Sequence, residues 1–156
     1  MHRILLALDD RNHAEAAAWW VREWLRHDSR SEVWALYVTE LISRGRLSGP
    51  LLPMSYEKEV AQGIHQHLER EVFRGFQHRV RFLHKVSPSI SEAICETAAL
   101  CNCDTIVLGG RTGGGFWRWL GAGIAPAVLK RTSASVVVVR LGTVKPIPLH
   151  GPHRAG

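Results

Sequence analysis

The chain has no apolar run approaching the roughly 20 residues that cross a bilayer, so no transmembrane helix is expected. After Met1-His2-Arg3 it enters an apolar strand at once, without the form of a signal peptide. Cysteine is scarce: the count is 3, and Cys95, Cys101 and Cys103 do not have the spacing of a disulfide framework. A reducing, cytoplasmic location is the expectation. Cys101-Asn102-Cys103 has no second ligand pair at zinc spacing, so buried structural thiols are expected rather than a metal site. The signatures of catalysis are missing too. There is no Ser-His-Asp order, no Walker lysine and no clear metal-binding carboxylate pair. Asp9 and Asp10 are adjacent and read as turn formation and helix N-terminal charge. A protein that is not an enzyme is expected, with weak ATP hydrolysis left open. Acidic residues are outnumbered 14 to 20, giving a net charge of +6. That balance permits attraction to nucleotides, nucleic acid or acidic surfaces without selecting among them. Several of the positive charges sit in the tail and on one strand, so a solvated surface is expected and nucleic acid is disfavoured.

What is present fits one compact domain of 156 residues, 46% hydrophobic and 22% charged. The domain is read as residues 1–141. Residues 142–156, with three prolines and no periodicity, are read as a disordered tail. His150 and His153 within it amount to a weak metal site at most.

Arg3 to Leu8 is a continuous apolar run, the mark of a strand covered on both faces. His13 to His27 reads as a helix with Ala17, Trp20, Val21, Trp24 and Leu25 on one stripe, so the tryptophans are core rather than a base-stacking platform. Ser31 to Val38 is a second strand. Residues 39–56 lack periodicity and form a long loop. Tyr56 to Gln77 gives a helix with Val60, Ile64, Leu68, Val72 and Phe76 inward; His65 and His67 fall on different faces. Arg79 to Lys85 alternates basic and apolar residues, suiting a guarded sheet edge. Pro88 and Ser89 open a helix to about Leu100. Cys103 to Leu108 is the fourth strand, a helix runs from Ile124 to Arg131, and Ser135 to Arg140 is the fifth strand.

Between the fourth strand and the last helix lies the most distinctive stretch. It holds seven of the chain's 14 glycines within the 15 residues from Gly109 to Gly123. Glycine lets backbone approach a ligand, and a helix start supplies free N–H groups at a positive dipole end. Strand, glycine loop and helix start together suit an anion or phosphate. Alternating strands and helices predict an α/β fold: an open, doubly wound parallel sheet, order 3-2-1-4-5, with helices on both faces. The switch point then lies between the first and fourth strands, where Asp9 and Gly109 converge.

Here the chain resembles the universal stress protein family. Ile4-Leu5-Leu6-Ala7-Leu8-Asp9 and Asp104-Thr105-Ile106-Val107-Leu108-Gly109 carry the likeness, with the helix and strand from Ala125 to Arg140. Nucleotide-binding members have Gly-x2-Gly-x9-Gly followed by Ser or Thr. Gly110, Gly113 and Gly123 reproduce the glycine spacing, but Ile124 stands where the hydroxyl would be. A second register starts at Gly109, passes Thr112 and ends at Ala122-Gly123, again without the hydroxyl. The resemblance assigns Ala7, Asp9 and Val38 to the nucleotide site, Asp9 and Val38 near the adenosine. Gly109, Gly110, Arg111, Thr112, Gly113, Gly123 and Ile124 fall around the phosphates. Backbone N–H groups and Arg111 are the anion donors that remain. The resemblance thus implies a regulatory protein binding ATP or a related adenine nucleotide, with Mg alongside it. The alternative is a member that binds no nucleotide and acts through dimerisation and contacts with an unidentified regulatory partner. A homodimer is expected through the apolar edge strand Val136, Val137, Val138, Val139 and Arg140.

Overall fold

The computed structural model describes residues 2–8, 12–41, 54–110 and 123–140. Its five strands are β1 (Arg3–Leu8), β2 (Glu32–Glu40), β3 (Val80–Ser87), β4 (Thr105–Gly110) and β5 (Ser135–Arg140). All adjacent pairs are parallel, in the order β3-β2-β1-β4-β5 expected from the sequence. The helices are α1 (Asn12–His27), α2 (Met54–His67), α3 (Ile90–Leu100) and α4 (Ile124–Leu129).

Side chains alternate across the pleat, so each inner strand feeds two cores. Ile4, Leu6 and Leu8 join Val33, Ala35 and Val107 under Ala17, Val21 and Leu25 of α1. Leu68, Val72 and Phe73 close that layer beyond α2. On the opposite face Leu5, Trp34, Leu36, Ile106 and Leu108 meet Ile94 and Ala98 of α3 and Ala125 and Val128 of α4. The run Ile4-Leu5-Leu6 is fully buried because it serves both layers. Trp20 and Trp24 pack on the α1 core, as their helical spacing predicts.

Several boundaries differ from the sequence reading. The second helix does not run to Gln77. A π turn takes over at Leu68–Val72, with the Phe73 N–H donating to the Leu68 carbonyl at 2.8 Å. Gly75, at φ 87°, then adopts a left-handed turn that Gly accepts without strain. Arg79 does not guard the sheet edge, because β3 begins at Val80. Its guanidinium instead donates to the carbonyls of Leu25 (2.9 Å), Ser31 (2.8 Å) and Asp28 at the C-terminal end of α1. Arg81 and Lys85 do lie on the β3 edge strand. The second strand extends to Glu40 rather than Val38, and the last helix stops at Leu129 rather than Arg131.

Cys101-Asn102-Cys103 is a helix stop. Asn102 has φ 53°, and the Cys103 and Asn102 N–H groups donate to the carbonyls of Ala98 (2.8 Å) and Ala99 (3.1 Å), a Schellman arrangement with Asn in the left-handed position. The thiols are half-buried rather than buried as expected. Burial pushes all three up, Cys103 to about 12 with Cys101 and Asp104 adding to the effect. At the opposite end of α3, Ser89 caps the helix by accepting the Glu92 N–H at 3.4 Å. Among the described residues no helix is long and apolar enough to cross a membrane.

Candidate functional site

The carboxyl ends of the strands are uneven. β1 stops at Leu8, level with Tyr37 of β2, and its pairing with β4 ends at Ala7 and Leu108. β2 continues to Glu40, and β4, six residues long like β1, is offset by one residue and reaches Gly110 at the same end of the sheet. α1, next in the chain after β1, packs on one face of the sheet, and α4, next after β4, packs on the other. A crevice at this switch point follows from the topology.

The sequence-predicted residues fall around it as follows. Ala7 and Val38 are half-buried and pack on the core formed with α3 and α4. Ile124, the first residue of α4, packs on the same core. These three thus share one face of the sheet, at the carboxyl end of β1, the end of β2 and the start of α4. Gly109 and Gly110, which the sequence places at the start of the glycine loop, belong to β4, opposite Val139 and Arg140 of β5. Pairing with β5 is a tertiary contact that overrides the weak strand preference of glycine. Asp9, Arg111, Thr112 and Gly113 lie outside the described residues.

α4 is six residues long. Gly123 is its N-cap in an extended conformation (φ −90°, ψ −175°), with no side-chain cap. The N–H groups of Ile124 and Ala125 therefore have no intrahelical acceptor, and Pro126 in the first turn has no N–H to satisfy. Ile124 supplies no hydroxyl, and its side chain is committed to the core.

At the amino ends the chemistry is structural. Asp104 ties three strand starts together: its Oδ2 accepts the Arg3 N–H at 3.0 Å, its N–H donates to the Arg3 carbonyl, and its carbonyl accepts the Ser135 N–H, both at 2.9 Å. Burial raises the carboxyl's pKa, but donors from Thr105 (2.7 Å), the Arg3 N–H and His2 (3.4 Å) outweigh it and hold the group below its ordinary value.

The family description "Universal stress protein family" matches residues 1–140. The chain belongs to the universal stress protein family. Solved structures of universal stress proteins share its fold at low identity. One from Burkholderia pseudomallei is 16% identical with a TM-score of 0.60, covering 88% of this chain and 94% of its own. A universal stress protein in complex with cAMP is 12% identical with a TM-score of 0.60, covering 89% and 96%. One from Archaeoglobus fulgidus in complex with dAMP is 17% identical with a TM-score of 0.59, covering 89% and 98%. No curated protein sequence matches the chain. In this universal stress protein, the sequence reading missed one feature: a second cleft on the α1–α2 face, between α2 and strands β2 and β3. Its wall combines residues 58–65 with residues 82–84, so no single sequence motif announces it.

Proposed function

We propose that this universal stress protein is a regulatory protein that binds an adenine nucleotide at the crevice between β1 and β4. The observation that carries the reading is the gathering of Ala7, Val38 and Ile124 on one face of the sheet, at the carboxyl ends of β1 and β2 beside the capless start of α4. Apolar side chains there suit an adenine ring, and the helix start with the glycine stretch suits phosphate. The cAMP and dAMP complexes of structural relatives support the same ligand class. Arg111 and backbone N–H groups take the phosphate role of the missing hydroxyl, and Mg accompanies a nucleotide triphosphate. The reading is of a binding protein rather than a catalyst.

β5 supports a homodimer. It is the outermost strand on its side of the sheet, and Val138 is 41% exposed. A β-branched edge of this kind pairs with a second copy under a two-fold axis. One observation favours the second reading, a member that signals through dimerisation and a protein partner alone: Ile124 is packed into the core where a phosphate-binding hydroxyl is expected. Mass spectrometry of ligand released from gently purified protein separates the two. Near-stoichiometric adenine nucleotide supports the first; its absence, together with no binding of added ATP, AMP or cAMP, supports the second.

A further inference from the structure

The cleft between α2 and strands β2–β3 lies across the sheet from the proposed nucleotide site. Tyr37 and Val38 are successive residues of β2: Tyr37 lines the cleft, whereas Val38 packs on the opposite core. The cleft is open to solvent on one side and has a volume of about 180 Å³. That is well below a drug-sized pocket and suits a small molecule.

Its chemistry is one-sided. Leu8, Ala35 and Phe82 form an apolar floor, while Lys58, His65 and His84 supply nitrogen donors at the wall. Among the described residues that line it there is no carboxylate. His65 stacks on Phe82 with ring centroids 3.9 Å apart, which fixes both rings. His84 is oriented from behind. The Thr39 hydroxyl donates to Glu57 Oε2 at 3.2 Å and lies 2.8 Å from His84 Nε2. A hydroxyl has one proton, so with that proton on the Glu57 side Nε2 must be the donor to Thr39. Nδ1 is left as the ring's other hydrogen-bonding atom. Glu57 is thus already engaged by Thr39, and a second acidic group, Glu69, lies with its Oε2 3.8 Å from His65 Nε2; Lys58 is the full positive charge at the wall.

We propose that this cleft is a second ligand site, selective for a small organic carboxylate with an apolar body. The body lies on Leu8, Ala35 and Phe82, and the carboxylate meets Lys58 with histidine support. The site is independent of the nucleotide crevice on the other face.

The test uses the full chain with benzoate as probe, benzamide as its uncharged counterpart, and calorimetry with NMR mapping as readouts. Benzoate should bind saturably and shift resonances of Phe82 and His84, and benzamide should bind at least about tenfold more weakly, the difference of one charge-assisted contact. Lys58 is exposed on α2, so Lys58→Met should leave the fold intact and weaken benzoate about tenfold. Ala61→Leu, a helix-compatible change that narrows the cleft, should weaken benzoate and benzamide alike. The proposal is overturned if benzoate fails to saturate, if benzamide binds equally well, or if neither variant changes the affinity. Displacement of benzoate by AMP would overturn the independence of the two sites.

Discussion

Replacing Arg79 by Ala should remove more stability than its half-exposed position on a turn suggests. The guanidinium donates to three carbonyls, those of Leu25, Asp28 and Ser31, and lies 5.9 Å from the Phe76 ring centroid. The Leu25 carbonyl belongs to the last turn of α1, where no intrahelical donor exists and the dipole is negative. A hydrogen bond to a charged group contributes about 1.5–3 kcal/mol. Three at full value would exceed the observable effect, because water reaches the freed carbonyls and the three bonds share one side chain. A loss of about 2–4 kcal/mol is expected, equivalent to a Tm drop of about 5–15 °C for a chain of this size. Urea unfolding at one protein concentration, with nucleotide removed, is the assay, since ligand and partner both shift apparent stability. Arg79→Lys should fall between, keeping the charge but losing the planar fork. An Arg79→Ala protein within about 0.5 kcal/mol of wild type would refute the cap and return Arg79 to a solvated surface residue.

Val138→Lys places a charge on the exposed part of the β5 edge and should convert the proposed homodimer to a monomer; light scattering that gives the 17.5 kDa chain mass for the unaltered protein at micromolar concentration would contradict the proposed dimer itself. Arg111→Ala should weaken ATP about tenfold or more while leaving adenosine binding nearly unchanged, because only a phosphate contact is removed; equal losses for both ligands count against it. Asp104→Asn should destabilise by less than about 1 kcal/mol at neutral pH, its partly exposed site discounted for screening. The Asp104 pKa is depressed in the folded state, so its contribution is present above the unfolded carboxyl value of about 3.9 and fades as pH falls through the folded value. Unfolding curves of the two proteins should therefore converge in acid, and a gap that widens there would be wrong for this mechanism.

The sheet order was legible because β1, β2 and β4 are buried on both faces, and residues such as Ile4, Leu5 and Leu6 leave no polar position in the run. The edge character of β3 was equally visible in its exposed Arg81 and its Lys85. Other features depend on distant contacts. Leu68 and Val72 keep helical spacing right through the π turn, so periodicity alone hides the break, and Gly75 was the local signal available. Gly109 and Gly110 read as loop because their strand pairing is supplied by Val139 and Arg140, some 30 residues away. Arg79 looks like one more basic residue in an alternating strand until α1 is placed behind it. Of the candidate nucleotide site, Ala7, Val38 and Ile124 were named by the family resemblance and share one face of the sheet, whereas Asp9, Arg111 and Gly113 lie outside the described residues. The Lys58–Phe82–His84 cleft had no sequence signature because the sheet assembles it from two separate segments.

The most direct test of the nucleotide reading is methyl NMR of the full chain titrated with ATP, and then with AMP. The account predicts saturable shifts at the methyl groups of Ala7, Val38 and Ile124, with Ala18 and Val21 on the α1 face unmoved. No shift at millimolar nucleotide, or shifts centred on the α1 face, would contradict it.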